Sequence, residues 1–152
     1  MKLAVAALVA ALAFVWYFDS PLTTTPGFFI DESSIAYNAW SIAQSGRDEH
    51  GVRLPVFFGA FGEYKNPVYL YLLAAVFKAT GPSILAARAT SIVLGFLAAL
   101  VLALLPRDDA ARAFTFFAAI ATPWLFETSR LVFEVAAFPL AIATALWCVR
   151  TQ

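Results

Sequence analysis

The side chains that could do chemistry are two adjacent carboxylates, Asp31-Glu32, a lysine, Lys65, just ahead of Asn66-Pro67, and three ionisable residues beside apolar runs, Arg88, Arg130 and Glu134. A carboxylate at a water–lipid boundary can take the proton of a hydroxyl, and cations beside it can hold an anionic group such as a phosphate. N–H groups at the start of a helix after Asn66 would add to that attraction. Each residue also has a plainer role. Asp31 can cap a helix while Glu32 favours the positive end of its dipole, and Lys65 can snorkel. Glu134 can pair with Arg130 at i,i+4, although that order is the less favourable one. As an ionisable group about one turn inside an apolar segment, it is equally a functional candidate. Asp108-Asp109 between Arg107 and Arg112 reads as a solvated turn, and His50 as a solvated loop residue.

These residues must be positioned by elements of an unusual chain. Of its 152 residues, 62% are hydrophobic and 13% charged, against about 45–50% and about 25% in a typical soluble domain. Ten basic residues balance ten acidic ones, so nothing in the charge calls for a nucleic-acid partner. Cys148 is the only cysteine and His50 the only histidine, which removes disulfides, thiolate zinc sites and most histidine chemistry. An aromatic content of 16% and the absence of a long polar tract argue against disorder. The fold class expected is an all-α membrane protein.

Leu3 to Phe18 is an uncharged apolar run behind Lys2, closed by Trp16, Tyr17, Phe18 and Asp19. It suits a first span, with a cleavable signal at Ala11-Leu12-Ala13 as the rival reading. Asp19 to Asn66 is polar and punctuated by Pro21, Pro26, Gly27, Gly46, Gly51, Pro55, Gly59 and Gly62, as expected of one long loop outside the membrane core. Inside it, Ile35, Ala39, Ile42 and Ala43 repeat at helical spacing over Glu32 to Ser45, predicting an amphipathic helix on the membrane surface. Pro67 to Ala79 reaches only about 20 Å and contains Lys78, so it reads as a juxtamembrane helix capped by Asn66 and ended by Gly81-Pro82. Ser83 to Leu105 is the clearest span. Phe114 to Phe126 and Leu131 to Val149 follow, with Pro123 and Pro139 expected to kink them.

About four spans result, in one transmembrane domain over 1–152 with residues 19–82 as the loop and its juxtamembrane helices. Lys2, Arg107, Arg112 and Arg150 then share one side, which the positive-inside rule assigns to the cytoplasm together with the N-terminus. Asp31, Lys65, Arg88 and Arg130 come to the outer face, gathering cations and carboxylates at one cavity suited to a phosphate-bearing lipid. The chain has no P-loop, no G-x-G-x-x-G after a strand, no H-E-x-x-H and no G-x-S-x-G.

The order of these features resembles the N-terminal part of the GT-C membrane glycosyltransferases of the protein O-mannosyltransferase and aminoarabinose-transferase type. Pro26-Gly27-Phe28-Phe29-Ile30-Asp31-Glu32 with Tyr37 carries it, then Gly62-Glu63-Tyr64-Lys65-Asn66-Pro67-Val68-Tyr69, Ala87-Arg88, and Ser129-Arg130-Leu131-Val132-Phe133-Glu134. The resemblance implies transfer of a sugar from a polyprenyl-phosphate-linked donor to a hydroxyl of a lipid, glycan or protein acceptor, with inversion. It implies an integral protein of the cell (inner) membrane with its first loop extracytoplasmic. It assigns Asp31 as the catalytic carboxylate and Lys65 as first contact to the donor phosphate, with Arg88 and Arg130 as further contacts. Glu63 and Glu134 would orient the acceptor or a divalent metal, the one cofactor entertained, and Glu32 and Tyr64 join the substrate-binding set. The family's lysine often stands directly before proline, whereas here Asn66 intervenes. Family members have about a dozen spans, so the resemblance also implies a fragment that would not turn over alone. A four-helix membrane scaffold or lipid-binding subunit is the non-enzymatic alternative. Transport along Arg88 and Glu134 is a third reading, without an inverted repeat behind it.

Overall fold

The computed structural model of the chain describes residues 2–18 and 27–152. Asp19, Pro21, Pro26 and the Lys2 side chain lie outside the described residues. The described chain is mostly helical: α1 (Lys2–Tyr17), α2 (Ile30–Ser45), a hairpin of β1 (Phe58–Ala60) and β2 (Glu63–Lys65), α3 (Pro67–Thr80), α4 (Ile84–Leu102), α5 (Asp109–Ala121), α6 (Pro123–Thr128), a 3₁₀ turn (Glu134–Ala137) and α7 (Phe138–Thr151).

The all-α class holds, and two of the four expected spans are unbroken helices of the required length and composition. Among the described residues, two helical stretches are long and apolar enough to cross a membrane, Ile84–Leu102 and Glu134–Thr151. α1 is apolar but has 16 residues, short of the roughly 20 that a bilayer core requires. The run expected to span from Phe114 to Phe126 is cut at Thr122, which is extended with ψ 117°. Pro123 causes the break, since it lacks an N–H and disfavours helical geometry in the residue before it. Neither proline kinks a helix. Pro123 opens α6 and Pro139 lies in the first turn of α7, where a missing N–H costs nothing.

α4 is the axis of the molecule. One side of it, with Ala87 and Leu94, meets Ile35, Ala39 and Ile42 of α2, Tyr69, Leu70, Leu73 and Phe77 of α3, and Val132. The other side, with Ile92, Phe96 and Ala99, meets Ala13 and Tyr17 of α1 and Phe116 and Ile120 of α5. Gly95 allows one close approach, because a Cβ there would stand 2.7 Å from Ser129 Cβ. At the far end of α4, the Arg150 guanidinium donates to Leu104 O at 2.6 Å, so α4 and α7 finish together.

The long loop is more structured than its punctuation suggests. α2 begins at Ile30, two residues ahead of Glu32, and its apolar stripe is covered by α3, so it does not lie apolar face down on a membrane. β1 and β2 pair antiparallel through a two-residue turn at Phe61-Gly62, both with positive φ, 54° and 82°. That is the type I′ geometry that matches strand twist. α3 follows as expected, with Asn66 accepting the Val68 N–H at 3.1 Å and Pro67 at the first helical position.

Candidate functional site

Asp31 and Glu32 are neighbours with opposite fates. Glu32 occupies the third position of α2 and closes a capping box, accepting the Phe29 N–H at 3.0 Å. Its carboxylate is fully buried and also accepts from Arg88 Nε at 3.2 Å, an Arg88 terminal nitrogen at 3.0 Å and the Val132 N–H at 3.0 Å. Four donors satisfy both oxygens, and the group ties α2 to α4 and to the segment ahead of α7. Arg88 is 1% exposed, donates further to Gly27 O and lies 5.7 Å from the Phe28 ring centre. This pair is a staple inside the bundle, so Glu32 and Arg88 do not reach an open substrate cavity.

Asp31 points the other way. Its side chain is 42% exposed and accepts from Lys65 Nζ at 2.9 Å, while the Lys65 side chain is only 11% exposed. The expected capping role belongs to Glu32 instead. Lys65 is delivered by the hairpin: it ends β2 opposite Phe58, whose side chain is fully buried, so its stem runs inward and its ammonium emerges beside α2. The Phe61 ring, at the turn, has its centre 6.0 Å from Nζ.

Glu134, in the 3₁₀ turn, accepts from the Asn66 backbone and lies within electrostatic reach of Lys65, Asp31 and Glu63. One of its carboxylate oxygens, Oε2, is buried with no hydrogen-bond partner among the described residues. The i,i+4 geometry for a pair with Arg130 is missing, because residues 131–133 are not helical. Glu63 and Tyr64 are exposed on β2, Tyr64 by 78%.

Arg130 does not join the outer cluster. It is 2% exposed, stacks at 3.5 Å from the Phe126 ring centre and donates to Tyr17 O at 2.7 Å, so it closes the end of α1. Of the three cations expected at one outward cavity, Lys65 alone lies on the open side. The arrangement that results is a half-exposed carboxylate bonded to a shielded ammonium, with a second carboxylate and an aromatic ring close by. Among the described residues no three His, Cys, Asp or Glu side chains gather as metal ligands, so the cluster does not offer a divalent ion a ready set of donors.

His50 has a role beyond a solvated loop. Its Nε2 lies 2.9 Å from Gly59 O, and with residues 59–64 it borders an open cleft of about 280 Å³. The signal for the hairpin that shapes this region is Phe61-Gly62, a residue–glycine turn between two short segments. Deeper in the bundle, burial pushes the Tyr69 phenol above its ordinary range, and it stays a neutral partner of Ser91 Oγ at 2.6 Å. Comparison with known proteins finds no match: no family model, no curated protein and no solved structure matches the chain.

Proposed function

We propose that the chain is all or part of an integral-membrane glycosyltransferase that moves a sugar from a polyprenyl-phosphate-linked donor to an acceptor hydroxyl, with inversion, on the outer face. The single observation that carries the proposal is the 2.9 Å bond between Asp31 and Lys65, a water-accessible base held against a cation that a phosphate would attract. The step is a direct displacement. Asp31 takes the acceptor's proton, the acceptor oxygen bonds to the anomeric carbon, and the carbon–oxygen bond to phosphate breaks. The leaving phosphate keeps the electron pair, and Lys65 offsets its charge. Exchanging Asp31 for phosphate as the partner of Lys65 frees the carboxylate when donor is present.

In this reading the apolar helix α1 and the broken α5–α6 segment accompany the two long stretches into the membrane, with the loop extracytoplasmic and Arg107, Arg112 and Arg150 cytoplasmic. In membranes containing the complete enzyme that carries this sequence, Asp31→Asn is expected to reduce transfer from a polyprenyl-phosphate sugar to background while leaving the amount of folded protein unchanged. Transfer at the parental rate would overturn the assignment. The non-enzymatic reading, a small membrane scaffold, draws on the same bond, since an ion pair already closed needs no substrate. It predicts that Asp31→Asn loosens a copurifying partner and that transfer is undetectable in the parental protein.

A further inference from the structure

β1 carries a glycine that its own backbone does not require. Gly59 is the middle residue of the strand and lies opposite Tyr64. Its φ is not positive, and a Cβ built on it would meet nothing closer than 4.0 Å, which is ordinary contact. A glycine inside a strand costs stability, and where neither a turn nor crowding calls for one it marks a place that a ligand approaches closely. The atoms such a Cβ would meet belong to two rings, Cδ2 and Nε2 of His50 and Cε1 of Tyr64, all at 4.0 Å. Gly59 is therefore the bare floor between those rings, within the open cleft of about 280 Å³.

The walls of the cleft combine flat rings with acceptors. His50 is held at both ends, its backbone N–H donating to Asp48 at 3.0 Å and its ring Nε2 lying 2.9 Å from Gly59 O. A carbonyl only accepts, so Nε2 is the donor, and in the neutral ring Nδ1 is left as an acceptor. Phe61 and the exposed carboxylate of Glu63 complete the border. No lysine or arginine is among the described residues that line it, and Glu63 repels an anion. A cation is opposed from the other side, because the Lys65 ammonium already stands 6.0 Å from the centre of the Phe61 ring. A neutral ligand with an apolar face and hydroxyls at its edge remains. A pyranose has that form, its C–H face lying against an aromatic ring while its hydroxyls donate to carboxylate and imidazole. The volume, at the low end for small-molecule sites, suits a single ring. We infer that the cleft over Gly59, between His50 and Tyr64, binds one neutral pyranose ring. Phe61 borders both the cleft and Lys65, so a sugar seated there lies next to the Asp31–Lys65 pair. That this sugar belongs to the acceptor, making the acceptor a glycan, rests on the transferase reading above, whereas the binding itself does not.

The test measures binding and transfer separately. Methyl glucoside, methyl galactoside and methyl mannoside are titrated against the whole purified protein and followed by saturation-transfer NMR, with tetramethylammonium and inorganic phosphate as a cationic and an anionic probe. Gly59→Ala fills the floor with a methyl group at ordinary contact distance, and Tyr64→Ala removes a wall whose side chain is largely exposed, so the second variant reads the cleft even where the first disturbs the hairpin. The expected result is binding of at least one pyranoside, weakened roughly fivefold by each substitution, with the unfolding midpoint of Gly59→Ala unchanged or raised. Absence of pyranoside binding, binding that ignores both substitutions, or a preference for tetramethylammonium or phosphate would overturn the inference. Transfer by the complete enzyme in the absence of pyranoside binding would overturn it and leave the transferase reading standing. With a glycan acceptor, Gly59→Ala in the complete enzyme should raise KM roughly fivefold and leave kcat unchanged, as loss of uniform binding does. An unchanged KM beside weakened pyranoside binding would overturn the acceptor role. Cleft-dependent pyranoside binding by a parental enzyme that transfers nothing would uphold the sugar site and overturn the transferase reading alone.

Discussion

At residue scale, two adjacent carboxylates differ because of what each one faces. Glu32 is fully buried and receives four donors, so Glu32→Ala leaves the Arg88 guanidinium inside the bundle without its carboxylate. Breaking a buried pair in this way costs about 3–5 kcal/mol, and thermal unfolding in detergent should show that loss. Asp31→Asn disturbs a pair whose carboxylate is 42% exposed, and its stability cost should stay below about 1 kcal/mol. Equal losses in the two variants would contradict this division of roles. Asp31, Glu32 and Lys65 stand out in the sequence because ionisable residues next to apolar runs are costly unless paired, and the structure pairs each of them. Which carboxylate turns inward was not legible there. That depends on Arg88 and Val132 arriving from distant parts of the chain, and Arg88 and Arg130 were expected at an outer cavity for the same reason. Each is taken up by aromatic rings and backbone carbonyls that no local spacing shows.

At the scale of elements, the hairpin does the positioning. Phe61 holds a left-handed conformation at φ 54° in a type I′ turn that favours asparagine or glycine. Phe61→Asn should stabilise the hairpin by about 1 kcal/mol, measurable as a higher unfolding midpoint, while removing the ring beside Lys65. A lower midpoint would mean that ring contact outweighs backbone strain. Gly95→Ala should destabilise the packing of α4 against Ser129, where the added carbon would sit 2.7 Å away, by roughly 1–3 kcal/mol, as overpacking does. An unchanged midpoint would show that the two segments can separate freely. Periodicity and caps gave good notice of α2, α3 and α4. The hairpin was hidden, because strands of three residues carry almost no periodicity. The division of the Phe114–Phe126 run follows from Pro123, whose preference for opening a helix prevailed over the apolar composition.

At the scale of the whole molecule, composition alone indicated helices in a lipid setting, and two stretches of the described chain are long and apolar enough for it. α4 has half its apolar window buried, whereas the Glu134–Thr151 window has 11% buried. The first therefore organises the bundle, and the second presents most of its side chains outward. Composition suggests about four spans where two stretches of the described residues meet the length of a bilayer core, since an apolar run reports burial without saying whether the burying medium is lipid or protein. The seat proposed for a donor phosphate lies between Lys65 and Asp31. It is tested most directly by measuring the binding of a polyprenyl phosphate, and of the corresponding polyprenol, to the purified protein and to its Lys65→Met and Asp31→Asn variants. The expected result is binding of the phosphate in preference to the alcohol, weakened at least about tenfold by Lys65→Met and unchanged or strengthened by Asp31→Asn, which releases the ammonium from its internal partner. Equal binding of phosphate and alcohol, or a Lys65→Met variant that binds the phosphate as well as the parent does, would contradict it.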